Sequence, residues 1–336
     1  MKRTVILLMG IFFLGGAVFS VDLTPVGEDM ETFLERFGRE AVPYLQQNAL
    51  TGEGLGIAQF NDHAGWYIAV TPSLVLTHGM FDFLKDDAPF QILDVDGMIT
   101  SGLAEAGAIE GYYEEGLLPI PFVRLNVGFA LPLDLEMSLI LSVFPQLFTD
   151  LISGAIGFEG VSLSRWNAGV RLRKPLIQDA GGFPAVSLGL GYTFSTFNFG
   201  YGLPEAEDFT QEIGGADLSV QGDLNVSTYL HTFGIDLALS KKILVFVPFV
   251  KLSSYYQIAT FDGAVDDFDA ELSSQADSYT DQGGEDPSAE ITLSDLSFLT
   301  TAGFEILLGK FAFVFDGNYS FTTNAFALNL GFRLGF

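Results

Sequence analysis

The sequence predicts a transmembrane antiparallel up-and-down β-barrel of about twelve strands, within a range of roughly ten to fourteen, preceded by a short N-terminal helix. Three observations predict it. The last eleven residues alternate strictly. Phe326, Leu328, Leu330, Phe332, Leu334 and Phe336 form one apolar face, and Ala327, Asn329, Gly331, Arg333 and Gly335 form the other. The 336-residue chain is 49% hydrophobic and only 17% charged, yet outside the N-terminus it has no apolar run long enough to span a bilayer as a helix. Finally, short and long connections between the period-2 segments alternate, as turns and loops do on the two sides of a membrane barrel.

The elements follow in order. Lys2 and Arg3 precede an apolar core, Val5–Leu14, and small residues around Val18 and Ser20. This pattern predicts a signal peptide over 1–20, with cleavage near Ser20. Residues 21–52 are predicted to be a periplasmic or plugging segment. Within it Glu28–Gln47 has helical spacing, with Met30, Phe33, Leu34 and Phe37 on one side and Glu31, Glu35, Arg36 and Arg39 largely opposite. Pro43 is expected to end or kink this helix.

The barrel is predicted over 53–336. Trp66, Ile68, Val70, Leu74 and Leu76 share a face. Val123, Leu125, Val127 and Phe129 oppose Arg124 and Asn126, and Leu133–Val143 sets odd apolar positions against Asp134, Glu136 and Ser138. Trp166, Ala168, Val170 and Leu172 oppose Arg165, Asn167, Arg171 and Arg173. Val186–Phe194, Tyr229–Leu239, Phe298–Leu308 and Phe311–Phe321 alternate in the same way, with Asp236, Asp295, Glu305 and Asp316 on their polar sides. Leu244–Thr260 is apolar on both faces and shows no sidedness. Fainter strands near Gly54–Asn61 and Phe90–Ile99 complete the set of twelve.

Short connections are expected at Lys85–Pro89, Leu131–Pro132, Lys241–Lys242 and Gly309–Lys310. Long ones are expected at Thr100–Pro119, Phe144–Glu159, Gly200–Asp217 and Asp262–Glu290. Arg173–Gly182 is long for its set, and Thr322–Asn324 is short for its own. An even strand number places both barrel ends in the periplasm.

Three stretches, GLGIAQFNDHAGWYIAV (Gly54–Val70), LLPIPFVRLNVGFALPLDLEMSLILSVFP (Leu117–Pro145) and SRWNAGVRLRKPL (Ser164–Leu176), occur in that order. They resemble an uncharacterised, porin-like family of bacterial outer-membrane barrels. Gly65, Trp66, Tyr67 and Pro119–Phe122 match the Gly-Trp-Tyr and Pro-Ile-Pro-Phe points of that family. The resemblance covers about a third of the chain and fades after Ala185. It implies an outer-membrane location and a barrel, with no substrate.

Charge is lopsided, with 15 basic against 42 acidic residues and a net of −27. This argues against nucleic acid as a partner. No cysteine is present, which excludes disulfides and thiolate metal sites. His63, His78 and His231 have no metal-ligand spacing, and Asp94–Gly97 (DVDG) lacks the rest of a calcium loop. Asp266, Asp267, Asp269 and Glu271 lie in an acidic stretch, Asp262–Glu290, with ten carboxylates and no basic residue. They are the calcium candidates, set against a simpler reading as a solvated acidic loop. No nucleophile motif appears, so no enzyme and no cofactor are expected.

The functional candidates are the inward charges Arg124, Asp134, Glu136, Arg165, Arg171, Arg173, Asp236, Asp295, Glu305, Asp316 and Arg333. They either select passing solutes or pair and plug the lumen. Tight turns at Gly309–Lys310 and Thr322–Asn324 place Glu305 and Arg333 on either side of the strand between them, which predicts a salt bridge. Phe144–Phe158 is mostly apolar in a predicted external loop and would be a lid, a strand extension or a place where a hydrophobic ligand enters. The terminal Phe336 resembles the assembly signal that outer-membrane barrels present to their insertion machinery.

The reading is an outer-membrane barrel, contacting outer-membrane lipid, that passes or binds small solutes through a charged lumen, with the acidic mouth favouring cations. One alternative is a hydrophobic-compound transporter, similar to fatty-acid channels, with the helix as plug. Another is a structural or adhesive surface barrel acting through acidic loops.

Overall fold

The computed structural model describes residues 23–50, 65–78, 117–144, 162–202, 210–213, 216–273, 278–281 and 286–336. The signal-peptide segment, His63, the DVDG turn and residues 145–158 lie outside these residues. So do both fainter strands and the turn expected at Lys85–Pro89.

One helix, α1 (Thr24–Leu50), precedes the strands. These are β1 (Trp66–His78), β2 (Leu117–Leu131), β3 (Leu135–Val143), β4 (Ser162–Ile177), β5 (Ala185–Gly202) and β6 (Thr210–Ile213). Then come β7 (Ala216–Ser240), β8 (Phe246–Ser273), β9 (Ser278–Asp281), β10 (Ser288–Leu308), β11 (Phe311–Ser320) and β12 (Phe326–Gly335).

All pairings are antiparallel. β7 joins β8, and β1 joins β12 from Tyr67↔Gly335 to Leu76↔Phe326, so the sheet closes on itself. β6 and β9 pair only with the far ends of β7 and β8. Ten of the twelve strands therefore form the closed wall, fewer than the expected twelve. The reason is the two edges of β1. It hydrogen-bonds β12 on one side and β2 on the other, from Trp66↔Phe129 to His78↔Leu117. No edge is left for a strand near Gly54–Asn61 or Phe90–Ile99. β1 also runs opposite to the direction those two strands implied, because Trp66 lies at the Phe336 end.

The outward positions are those the alternation predicted. Trp66, Val70, Leu139, Leu172, Phe233, Leu237, Phe298, Leu308, Phe311 and Phe332 are exposed and form an apolar belt. On β10 the outward residues are apolar from Leu308 to Leu296, apart from Thr300, and then change to Ser294, Thr292 and Glu290. Those twelve steps amount to about 40 Å of strand, or about 30 Å along the axis at barrel tilt. That height matches a bilayer core. The same change occurs after Ile258 on β8 and after Tyr229 on β7. β7, β8 and β10 continue beyond the belt as a tall wall.

The two ends differ. At the Phe336 end the connections are Pro132–Asp134, 178–184, 241–245 and Gly309–Lys310. Leu133 and Asp134 take φ of 67° and 59°, so a left-handed turn ends the hairpin and Asp134 is exposed in it rather than inward. The longer turn at 178–184 is held by its neighbour. Lys241 Nζ lies 2.5 Å from Asp179 Oδ1 and donates to the Gly181 carbonyl at 2.7 Å, while Lys242 N–H donates to Asp179 Oδ2 at 2.7 Å. These bonds to Lys241 and Lys242 hold the Asp179 carboxyl below its usual range. At the seam, Phe336 stacks on Trp66 with ring centroids 4.2 Å apart, and its N–H donates to the Trp66 carbonyl at 2.9 Å.

α1 lies inside the tall wall at the opposite end. Val26, Met30, Leu34, Ala41, Val42 and Leu45 are buried at helical spacing. Val42 packs with Val226, Leu230, Ala259, Phe261 and Ile291. Tyr44 Oη donates to the carbonyl of His78 at the far end of β1, at 2.7 Å. Gly38 permits this approach, because a Cβ there would sit 2.7 Å from the Phe261 ring. The helix runs through Pro43 to Leu50 rather than stopping there.

Candidate functional site

Within the belt, the inward face is polar. Glu305 pairs with Val314, and Arg333 with Ala312, so β11 separates them. Their side chains form the expected ion pair, buried on both sides. Arg333 also lies over the Tyr67 ring, 5.9 Å from its centroid. Tyr67 Oη donates to Glu136 Oε1 at 3.0 Å, as does Ser138 Oγ at 3.0 Å, and Arg173 Nη1 lies 3.8 Å from Glu136 Oε2. Tyr67 fits because its cross-strand partner is Gly128, where a Cβ would sit 1.9 Å from the ring. Arg171 pairs with Asp236, both buried. Asp316 Oδ1 accepts from Asn318 Nδ2 at 3.0 Å and from Asn329 Nδ2 at 2.6 Å.

Arg124, Glu136, Arg165, Arg171, Arg173, Asp236, Glu305, Asp316 and Arg333 are all inward and at most 9% exposed. Asp295 is inward, half-buried and nearer the tall wall, and accepts from the Leu296 N–H at 2.7 Å. The sequence reading missed Tyr67, Lys251 and Gln257 as interior groups. Tyr67 could have been found from its odd position between Trp66 and Ile68. Lys251 and Gln257 sit on β8, whose lower half carries apolar residues on both faces.

The acidic stretch is not a loop over its first part. Asp266, Asp267, Asp269 and Glu271 belong to β8, which continues to Ser273 against β7 across a bulge at Gln221/Asp223. Asp266 Oδ2 accepts from Asn225 Nδ2 at 2.7 Å and Asp269 Oδ2 from Gln221 Nε2 at 3.1 Å. Strand geometry spreads these carboxylates along an edge instead of gathering them. Among the described residues no three His, Asp or Glu side chains are placed to hold a metal ion.

Between α1 and the wall, at the upper rim of the belt, lies a cavity of about 10 Å³ lined by Val42, Leu45, Arg165, Ser195, Thr196, Phe197, Thr228 and Leu230. Register makes it a compact patch, since Arg165 pairs with Phe197, Phe197 with Thr228 and Ser195 with Leu230. Arg165 Nη2 donates to the Leu45 carbonyl at 3.4 Å.

No protein-family model matches the chain, and no curated protein matches it. Solved structures align with the chain at low identity. The outer membrane protease OmpT from Escherichia coli is 9% identical, with 82% of this chain and 98% of that one covered at a TM-score of 0.37. The beta domain of the Bordetella autotransporter BrkA is 10% identical, with 82% and 100% covered at 0.38. The translocator domain of the autotransporter NalP from Neisseria meningitidis is 9% identical, with 82% and 90% covered at 0.31. Likeness at this level assigns no activity.

Proposed function

We propose that this chain is a bacterial outer-membrane barrel that binds small solutes at its external mouth and is closed to free diffusion. The apolar belt supports the membrane location, and the short-turn end with Phe336 faces the periplasm. The observation that carries the function is the set of buried ion pairs Glu136–Arg173, Arg171–Asp236 and Glu305–Arg333 along the inner wall, between adjacent and next-but-one strands. A ten-strand wall is two strands wider than the eight-strand barrels whose interiors side chains just fill, and here the long Arg and Glu side chains extend from the wall into that space. The acid–base pairs thus act as structure at membrane level, and solute chemistry is left to the mouth, where α1 meets the wall. Planar-bilayer recordings test this reading. The purified barrel should give no steady conductance, and a stable ohmic pore would refute it.

A second reading rests on the tall wall. β7 and β8 reach well past the belt, with Asp223, Asp262 and Asp266 on the outer side. This favours surface attachment through an acidic face. Shortening β7 and β8 together beyond Asn225 and Ala264 should then abolish attachment while leaving the barrel folded. Unchanged attachment would dismiss it.

A further inference from the structure

We infer that Arg165 forms a binding site for a compact monovalent anion beneath α1, in the cavity it shares with Ser195 and Thr228. Three observations converge there. Arg165 is 9% exposed, and among the described residues its Nη1 has no hydrogen-bond acceptor. Its Nη2 reaches only the Leu45 carbonyl at 3.4 Å, longer than the 2.7–2.9 Å of a charge-assisted bond. Ser195 Oγ and Thr228 Oγ1, inward on β5 and β7 and lining the same cavity, are likewise buried without partners among the described residues. Three donors therefore face one small space.

One neighbouring charge has the same sign. Arg124 and Asn167 both pair with Ser142, and Arg165 is the next inward residue beyond Asn167. Two neighbouring guanidinium groups thus face one side of the lumen. A buried cation without a counter-charge costs several kcal/mol, and an anion supplied from outside removes that cost. The chain carries a net charge of −27, but the field of a solvent-exposed carboxylate is screened over about 8 Å at physiological salt. It does not reach a buried guanidinium as strongly as a directly bonded ion does.

Size narrows the ligand. A cavity of about 10 Å³ admits one water-sized particle. The occupant is therefore a single compact group: a chloride ion seated with a small outward shift of α1, or one oxygen of a carboxylate whose apolar remainder lies along Val42, Leu45 and Leu230. Phosphate and sulfate are too large without a larger movement of α1. The site runs against the cation preference that the acidic mouth suggests. It names the solute class for the binding barrel proposed above and rests on that reading. Its test uses detergent-solubilised protein, so its failure leaves the bilayer result standing, and a conducting pore leaves the anion result standing.

The experiment measures the thermal unfolding midpoint of the full mature chain at constant ionic strength, with gluconate exchanged for chloride, and separately with added octanoate. The wild-type midpoint should rise with at least one of the two anions. A chloride response identifies an inorganic anion, and a response to octanoate alone identifies the carboxylate head of an apolar acid. In Arg165→Met the half-effect concentration should rise more than tenfold. If that variant does not fold, Ser195→Ala/Thr228→Val reads the same site and should weaken the response several-fold. Crystals grown with bromide should show an anomalous peak within hydrogen-bond reach of Arg165 Nη1 if halide is the occupant. A wild-type midpoint indifferent to both anions, or an unchanged response in the substituted chains, overturns the site.

Discussion

Along β8 and β10 the inside and outside of the barrel exchange character at one level. Below it, outward positions are mainly apolar (Phe246, Val250, Leu252 and Ile258 on β8; Leu308, Phe304 and Phe298 on β10), and inward positions include Lys251, Gln257, Glu305 and Thr301. Above it, outward positions are Thr260, Asp262, Thr292 and Glu290, and inward positions are Ala259, Phe261, Ile291 and Ala289. No register slip accompanies the change, since β8 and β10 stay paired residue for residue from Phe246↔Ile306 to Ala264↔Ser288. The lower region solves the membrane problem, with hydrocarbon outside and paired charge within. The upper region solves the aqueous problem, with water outside and an apolar face covered by α1. One continuous sheet therefore carries two solvent regimes. The level where they meet marks one surface of the bilayer more sharply than any single aromatic residue.

The largest expected effects come from breaking the lower region. Glu305→Leu or Arg333→Met alone leaves one charge buried without its partner and should cost about 3–5 kcal/mol of unfolding free energy. The double substitution should recover most of that loss. Denaturant unfolding of all four chains gives the coupling directly, and additive single effects would mean that the pair acts only as two separate contacts.

Breaking the upper region should be milder and local. Gly38→Leu drives side-chain atoms into the Phe261 ring and should cost about 1–3 kcal/mol, as overpacking does. Hydrogen exchange should show protection lost over Val26–Leu45 and retained in β1–β4. Equal loss in both regions would show that helix and barrel unfold as one unit.

The lower region was legible in the sequence because lipid and lumen force a period-2 contrast on each strand, and register then fixed Glu305 beside Arg333. The strand count was not, because faint alternation near Gly54–Asn61 and Phe90–Ile99 carries no sign of whether β1 has a free edge. Nor was the upper half of β8. Its outward face turns acidic where it leaves the belt, which reads as a loop, while the inward residues Phe261 and Val265 read as isolated apolar positions. The mouth cavity depends on α1 docking across β5 and β7, a contact between segments distant in sequence that no local pattern encodes.

The seam offers a smaller test. Phe336→Ala removes the stacked pair with Trp66 and should cost about 1 kcal/mol beyond lost burial. It should also slow assembly in lipid vesicles. Equal assembly rates for the two chains would remove any special role of the terminal aromatic.

The smallest effect lies outside the membrane, at the turn that Lys241 holds. The Asp179 carboxyl titrates below its ordinary range in the folded chain. Its stabilisation is therefore present above the ordinary carboxylate pKa of about 4 and is lost as pH falls through the lowered folded value. For a partly exposed pair this amounts to less than about 1 kcal/mol. Asp179→Asn should flatten the acid limb of the stability curve by that much, and an unchanged acid limb would show the pair to be energetically silent.

On the reading proposed above, the ion pairs within the belt, and not α1 above them, close the lumen. Planar-bilayer conductance of a chain lacking residues 23–50 tests it most directly. Without the helix the membrane still should show no steady current, because Glu136, Arg173, Arg171, Asp236, Glu305 and Arg333 remain in place. A stable open pore on removal of the helix alone would contradict the account and make α1 the plug.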